Sequence, residues 1–418
     1  IRSQYILLDV FNDLMRDRLL WILSLLFVAW MVWSETSFQY FDQSLADELA
    51  LSSADVAVVG GAFLLPYGLV QIPVGWVLDR GRAERWLLLG AITATALTLA
   101  FARSETLDGL IISRAGMGLA CAVAFPASGL LARRTLPPQR FALAMGATDS
   151  LLGFGAALAA VMPVLIHLGS WRQQVTLQIM VLALLVATPL VVVVVASSQQ
   201  SRAKPSQSIS ERQVTDHSGR WSADAIKKVV HAALIYAWGA GTLFGFCQYG
   251  LLSEVEGWSG SLKVGVGMVL SLFTSVGMLG AGWLGSHQSR RAPILLAGSC
   301  SAAAALLVLV ATNPQSVIVL ILAGAILGLG LGTSVLAFPL AEAAAPPTQT
   351  ALVVAFVNTA GTLMGALMIM LSGVLLQVST PGNTTLVVLT YGSLALLGII
   401  LAALLQINTI KRSAQFLS

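Results

Sequence analysis

From Ser197 to Lys228 the chain reads SSQQSRAKPSQSISERQVTDHSGRWSADAIKK. The stretch is polar, Ser/Gln-rich and basic, which is the composition of a linker rather than of a packed element. Everything around it has the opposite character. Of 418 residues, 57% are hydrophobic and 10% charged, and the mean hydropathy is +0.84. An ordinary soluble domain is roughly 25% charged. So little charge on so long a chain excludes a soluble enzyme, a nucleic-acid-binding domain and a disordered scaffold. A lipid bilayer is left as the surroundings.

A helix needs roughly 20 mostly apolar residues to cross a bilayer. Six such runs precede the linker, at 19–41, 55–78, 86–104, 108–132, 140–166 and 172–196. Six follow it, at 229–253, 262–285, 292–312, 315–340, 349–377 and 383–407. The expected fold is therefore an all-α integral membrane protein with twelve transmembrane helices. They form two six-helix bundles, 1–198 and 229–418, with residues 199–228 as the linker. Ahead of the first run, Asp9, Asp13 and Asp17 replace the basic start of a signal peptide. Ile6, Val10, Phe11 and Leu14 are spaced for a short amphipathic helix on the membrane surface.

Charge placement sets the orientation. With the N-terminus in the cytoplasm, only four of the 23 Lys and Arg depart from the cytoplasmic side: Arg103, Arg172 and Lys263 lie outside, and Arg114 lies within a span. That bias puts both termini and the linker in the cytoplasm. The cysteines (Cys121, Cys247, Cys300) and four histidines are scattered without ligand spacing, so neither a disulfide framework nor a metal site is expected. No nucleotide loop or catalytic triad is present either. No cofactor is implied.

The halves repeat one another. Ala29-Trp30 recurs as Ala237-Trp238, Gln39-Tyr40 as Gln248-Tyr249, and Gly75-Trp76 as Gly282-Trp283. ALAMGATDSLLGFGAAL from Ala142 matches ALVVAFVNTAGTLMGAL from Ala351, placing Asp149 opposite Asn358 and Ser150 opposite Thr359. The offsets all fall between 207 and 209. Two pseudo-symmetric halves around a central site are the pattern of a transporter built by duplication.

Two segments carry a family resemblance. LLPYGLVQIPVGWVLDRGRAERWLLLG, from Leu64 to Gly90, resembles the signature joining the second and third helices of the major facilitator superfamily; Gly75, Asp79, Arg80, Arg82 and Arg85 match it, and Gly81 comes one residue early. LIISRAGMGLACA, from Leu110 to Ala122, resembles the fourth-helix signature through Arg114 and Gly118. Ser170-Trp171-Arg172 adds a weaker likeness. The glycine-rich antiporter signature of the fifth helix is incomplete. Gly146, Gly153 and Gly155 are present, but Met162, not Gly, precedes Pro163. The resemblance implies cavity-lining helices 1, 4, 7 and 10 and a lock at Gly75, Asp79, Arg80 and Arg82 on the cytoplasmic side. Span 11 starts just after Pro346-Pro347, and its N-terminal dipole favours a carboxylate such as Asp79. Ser286 takes the place of Asp79 in the second half, which makes the lock asymmetric.

Ionisable groups inside a membrane are costly and mark function. Glu35, Arg114 and Asp149 are three such groups. Glu35, Phe38, Gln39 and Asp42 follow the spacing of one helix face. At a rise of 1.5 Å per residue, Glu35 lies roughly 10 Å and Arg114 roughly 9 Å from the outer surface, a depth at which they can pair. The family resemblance implies that such a pair couples protons, and Asp149 is a further candidate. Gln39, Tyr40, Gln248, Tyr249 and Asn358 are candidate substrate contacts. Gly324, Gly328, Gly330 and Gly332 read as close helix packing. The expected function is a secondary transporter working by alternating access, with proton-coupled uptake of a small polar organic solute; the alternative is proton-driven export of drugs or metabolites. The expected partners are a small-molecule substrate, protons and the lipid bilayer. No nucleic acid is expected. The protein is expected to be a monomer in the cell membrane, a bacterial inner membrane.

Overall fold

Lipid supplies no hydrogen bonds, so each apolar run must satisfy its own backbone as a helix. The computed structural model describes residues 2–166, 169–203, 221–252, 260–312, 316–378 and 385–417; among these it contains helices and no strands. Twelve helical segments are long and apolar enough to cross a membrane. Spans 1 to 6 are Met15–Tyr40, Ala54–Arg80, Ala83–Arg103, Leu107–Thr135, Pro138–Ala159 and Trp171–Ala196. Spans 7 to 12 are Ala223–Phe246, Gly265–Leu284, Gln288–Leu309, Val317–Glu342, Thr350–Leu371 and Leu389–Lys411. Ile112, Ile318 and Met370 are 68%, 70% and 71% exposed, respectively. Side chains of this kind face lipid rather than water.

Two expectations change at the helix ends. The segment expected to lie on the surface as a separate helix is continuous with span 1, in one helix from Arg2 to Thr36. The linker is invaded from both sides: one helix runs from Thr188 to Ala203, and the next begins at Ala223. Residues 204–220 lie outside the described residues.

Spans 4 and 10 are broken at corresponding places. Span 4 comprises Leu107–Cys121 and Ala124–Thr135; span 10 comprises Val317–Gly332, a 3-10 turn at Thr333–Leu336, and Ala337–Glu342. Each second piece opens with Ala-Phe-Pro, at Ala124 and at Ala337. Proline lacks an N–H and clashes with the preceding turn, so the helix restarts where that donor is not needed. The two phenylalanines meet between the halves, with Phe125 and Phe338 ring centroids 5.4 Å apart and both rings buried.

The halves join along two seams, span 2 on span 11 and span 5 on span 8. Glycine permits the close approach in both. A Cβ on Gly75 would lie 2.7 Å from the Ala351 carbonyl oxygen, and one on Gly282 would lie 2.7 Å from that of Ala142. Gly75 and Gly282 are repeat partners, as are Ala142 and Ala351. The duplication read in the sequence is thus repeated in the packing.

Candidate functional site

Arg114 is buried on span 4, one turn before Gly118. A side chain at Gly118 would collide with the Phe63 carbonyl, so this glycine lets span 4 close on span 2. That closure sets Arg114 among three rings, with its guanidinium carbon 4.9 Å from the Phe38 centroid, 5.1 Å from Phe63 and 5.8 Å from Phe101. The expected pairing with the Glu35 carboxylate is not formed. Arg114 Nη1 donates to the Ser34 carbonyl at 3.2 Å and Nη2 to the Glu35 carbonyl at 3.0 Å. Cationic groups favour the negative end of a helix dipole, and here that end supplies the acceptors directly. The Glu35 carboxylate instead accepts from Thr36 Oγ1 at 3.2 Å.

Those bonds also redirect the end of span 1. A continuing α-helix needs the Ser34 and Glu35 carbonyls for Phe38 and Gln39. Arg114 occupies them, Ser37 Oγ also donates to the Ser34 carbonyl at 3.2 Å, and the chain tightens into a 3-10 turn over Ser37–Tyr40. The expected single face from Glu35 to Asp42 is therefore broken. Phe38 turns inward, whereas Gln39 and Tyr40 are exposed.

A second polar group lies midway along the seams. Asp149 of span 5 is fully buried, and its Oδ1 accepts from Tyr236 Oη of span 7 at 2.8 Å. Its Oδ2 has no partner, and it pairs with no Lys, Arg or His among the described residues. Asn358 of span 11 donates through Nδ2 to Tyr67 Oη at 3.2 Å and to Gln71 Oε1 at 3.0 Å, both on span 2. Gln71 Nε2 is buried without a partner. Beside these, Ser275 Oγ donates to the Ser150 carbonyl at 2.7 Å and Thr359 Oγ1 to the Gly68 carbonyl at 3.2 Å. Ser150 and Thr359 are repeat partners; Gly68 and Ser275 correspond at the offset of Gly75 and Gly282. Every one of these bonds crosses between halves.

The cytoplasmic ends are tied by different chemistry. Asp79 Oδ1 accepts from the Ala351 N–H at 2.8 Å and Oδ2 from the Leu352 N–H at 2.9 Å, capping the first turn of span 11. Arg80 and Arg82 do not join this cap: Arg80 stacks on Trp76 at 4.1 Å, and Arg82 pairs with Glu84 at 3.5 Å. On the other seam Ser286, just past the end of span 8, donates through its hydroxyl to the Gly282 carbonyl at 3.3 Å rather than reaching across to the first half. Between spans 4 and 10, Arg133 pairs with Glu342 at 2.5 Å. Arg291 ties the Gly285 carbonyl, at 2.9 Å, to that of Pro339, at 3.0 Å. Arg133, Arg291, Gln288 and Glu342 line a cavity of about 250 Å³.

The structure thus brings Asp149, Asn358 and Asp79 into contacts between halves and leaves Gln39 and Tyr40 at the outer end. The side chains of Gln248 and Tyr249 lie outside the described residues. Tyr67, Gln71, Tyr236, Arg133 and Glu342 were not singled out from the sequence. Tyr67 and Gln71 stand one helical turn apart on a span otherwise dressed for lipid, which was the available signal. Among the described residues no group of three His, Cys, Asp or Glu is placed to hold a metal.

The family model described as "Major Facilitator Superfamily" matches residues 22–369. A "Probable sulfoacetate transporter", SauU of Cupriavidus necator, is 28% identical over 133 residues, covering 31% of this chain and 30% of that protein. The "Uncharacterized transporter" YybO of Bacillus subtilis is 29% identical over 144 residues, covering 32% of this chain and 33% of that protein. The match thus spans about a third of the length of each curated relative. Among solved structures, FucP in the outward conformation aligns with a TM-score of 0.60 at 15% identity, covering 91% of this chain and 98% of that one. XylE, a proton:xylose symporter bound to 6-bromo-6-deoxy-D-glucose, aligns with a TM-score of 0.73 at 12% identity, covering 93% and 95%. At such identities the likeness is one of fold.

Proposed function

Because the chain belongs to the Major Facilitator Superfamily, matching its model over residues 22–369, we propose that it is a secondary active transporter, not an enzyme, carrying a small polar organic solute by alternating access with proton symport. One observation carries the coupling. Asp149 is a fully buried carboxyl with no counter-ion among the described residues, held across the two halves by a single phenol. An uncompensated buried charge costs several kcal/mol, so closing the halves over Asp149 favours the protonated form. Opening them to water releases that constraint. A carboxyl whose charge is tolerated in one state and penalised in another links proton movement to conformation.

Glu35, half-buried at the outer end, receives the proton from outside, while Arg114 fixes the turn that carries it. Gln39 and Tyr40 stand at the outer mouth, Gln248 and Tyr249 are assigned the matching place in the second half, and Asn358 contacts the solute at mid-depth. Gly75, Asp79, Arg80 and Arg82 belong to the cytoplasmic gate, with Asp79 as its contact across the seam. The two bacterial relatives support a bacterial inner membrane.

Sulfoacetate, named for one relative, is the first solute to try. In proteoliposomes an inward proton gradient should drive its accumulation. Asp149→Asn should abolish accumulation while keeping exchange between equal pools. Wild-type accumulation that persists after a protonophore collapses the gradient overturns the proposal.

A further inference from the structure

The cavity at the cytoplasmic end is shared by the two halves and carries a charge imbalance. Arg133, Pro138 and Phe141 line it from the first half; Gln288, Arg291 and Glu342 line it from the second. Two guanidiniums therefore face one carboxylate, and that carboxylate already pairs with Arg133 at 2.5 Å. Arg291 has no acid within ion-pair distance among the described residues. It is nevertheless buried, at 5% exposure. Its Nε and Nη1 are held by main-chain carbonyls, and its Nη2 bonds no group among the described residues. Arg133 reaches Glu342 through Nε alone, so both of its Nη groups are open as well. A buried cation is costly unless an anion compensates it.

The helix that carries Arg291 sharpens the imbalance. Gln288 opens span 9, Arg290 and Arg291 lie in its first turn, and no acid accompanies them. The positive end of a helix dipole disfavours cations and attracts anions. Span 3, the corresponding helix of the first half, has Glu84 in its first turn. Span 9 thus sets arginines where span 3 sets an acid, and a cavity of about 250 Å³ lies beside them. That volume is below the roughly 300–1,000 Å³ of a drug-sized ligand site. It suits a small ion or a head group. Planar guanidiniums present paired N–H donors that match the oxygens of phosphate.

We propose that this cavity binds a phosphate oxyanion, either free phosphate or the phosphomonoester head group of a lipid, which bridges Arg133 to Arg291 and holds the cytoplasmic gate closed. With the cavity empty, the two guanidiniums repel each other across the halves. With the oxyanion present, both are drawn to the same oxygens. The site shares no residue with Asp149, Asn358 or the outer mouth, so it is distinct from the solute contacts. Its effect on the gate rests on the alternating-access reading above: a ligand that prefers the closed arrangement shifts the population towards it.

The test titrates inorganic phosphate calorimetrically into the purified full chain in dodecyl maltoside. The wild type should bind one phosphate per chain, more weakly as sodium chloride rises. Gln288→Glu places an acid that suits the dipole of span 9 but repels the ligand. It should stay folded and bind phosphate roughly tenfold or more weakly. Glu342→Gln frees Arg133 and should tighten binding. Nanodiscs separate the two sources. Phosphatidic acid that displaces phosphate more than phosphatidylglycerol does would assign the site to a lipid head group; equal binding in both would assign it to the free anion. Either result supports the oxyanion site. Phosphate should also slow labelling of single cysteines placed at the cytoplasmic ends of spans 4 and 10, and should not do so in Gln288→Glu. No saturable binding, or binding unchanged in both variants, would overturn the inference. Every measurement is made without solute or proton gradient, so loss of proton coupling alone would leave this site standing. If labelling ignores phosphate but responds to Asp79→Asn, the bridge fails and alternating access stands; if it responds to neither, both fail.

Discussion

Arg114 shows how far a residue's chemistry depends on what its neighbours offer. Its charge was legible, and so was its depth, but its partners are main-chain carbonyls in an aromatic cage rather than the carboxylate on the same turn. A guanidinium can span two carbonyls and stack on rings, whereas an ammonium is a compact, strongly hydrated point charge. Arg114→Lys should therefore cost about 2–4 kcal/mol of stability through two lost charge-assisted hydrogen bonds. Thermal unfolding of the detergent-solubilised protein would show it, and an unchanged midpoint would mean that the cage is not structural. Glu35→Gln keeps the main-chain carbonyls that Arg114 grips. It should preserve the folded protein and slow gradient-driven uptake several-fold, leaving coupling itself at Asp149. Uptake at the wild-type rate across the pH range would remove Glu35 from the proton path.

At the scale of elements, the outer ends of spans 1, 3 and 6 are tied through one short helix, Asp42–Leu49. Glu48 on that helix accepts from the buried Trp171 Nε1 at 2.6 Å and from Arg172 Nε at 2.8 Å, while Arg172 also reaches the Ala102 and Ser104 carbonyls. This explains structurally why Trp and Arg follow Ser170 at the start of span 6. The Arg172 hydrogen bond, aided by that of Trp171, holds the Glu48 carboxyl below the usual glutamate range. A depressed carboxyl adds stability that is complete above its unfolded value and fades as pH falls through its folded value. Glu48 is largely open to water, so the contribution is under about 1 kcal/mol. Lowering the pH from 6 to 3 should therefore erode the unfolding midpoint of the wild type more than that of Glu48→Gln. Parallel curves for the two proteins would show that the loop is held by Trp171 packing alone.

At the scale of the molecule, the two seams repeat each other in glycine packing and differ in their cytoplasmic fastenings. One fastening is a carboxylate cap on span 11; the other, between spans 4 and 10, is the Arg133–Glu342 pair with Arg291 beside it. A helix cap contributes roughly 1 kcal/mol, enough to move a two-state population about fivefold. Asp79→Asn should shift the population towards inward-open. Glu342→Gln should do the same more weakly, and the two together should exceed either. Labelling of single cysteines placed in spans 2 and 11 below Asp79 reads this directly. Accessibility unchanged in the double variant would show that neither contact holds the gate.

The sequence by itself determined the twelve spans and the duplication, and charge placement along it led to the expected orientation. Each follows from composition along the chain, because lipid forces every span to satisfy itself. It also pointed to Asp79 facing the start of span 11, since a proline pair marks a helix start and a helix start attracts a carboxylate. Which side chains meet between halves was decided only by tertiary structure. Tyr236 and Asp149 are 87 positions apart, and Asn358 and Gln71 are 287 apart; no local period relates them. The Glu35 stripe failed for the same reason, because a guanidinium from another helix took the carbonyls that the pattern assumed were its own. Local rules fix helices, while the open atoms of Asp149 and Gln71 exist only once two halves have closed.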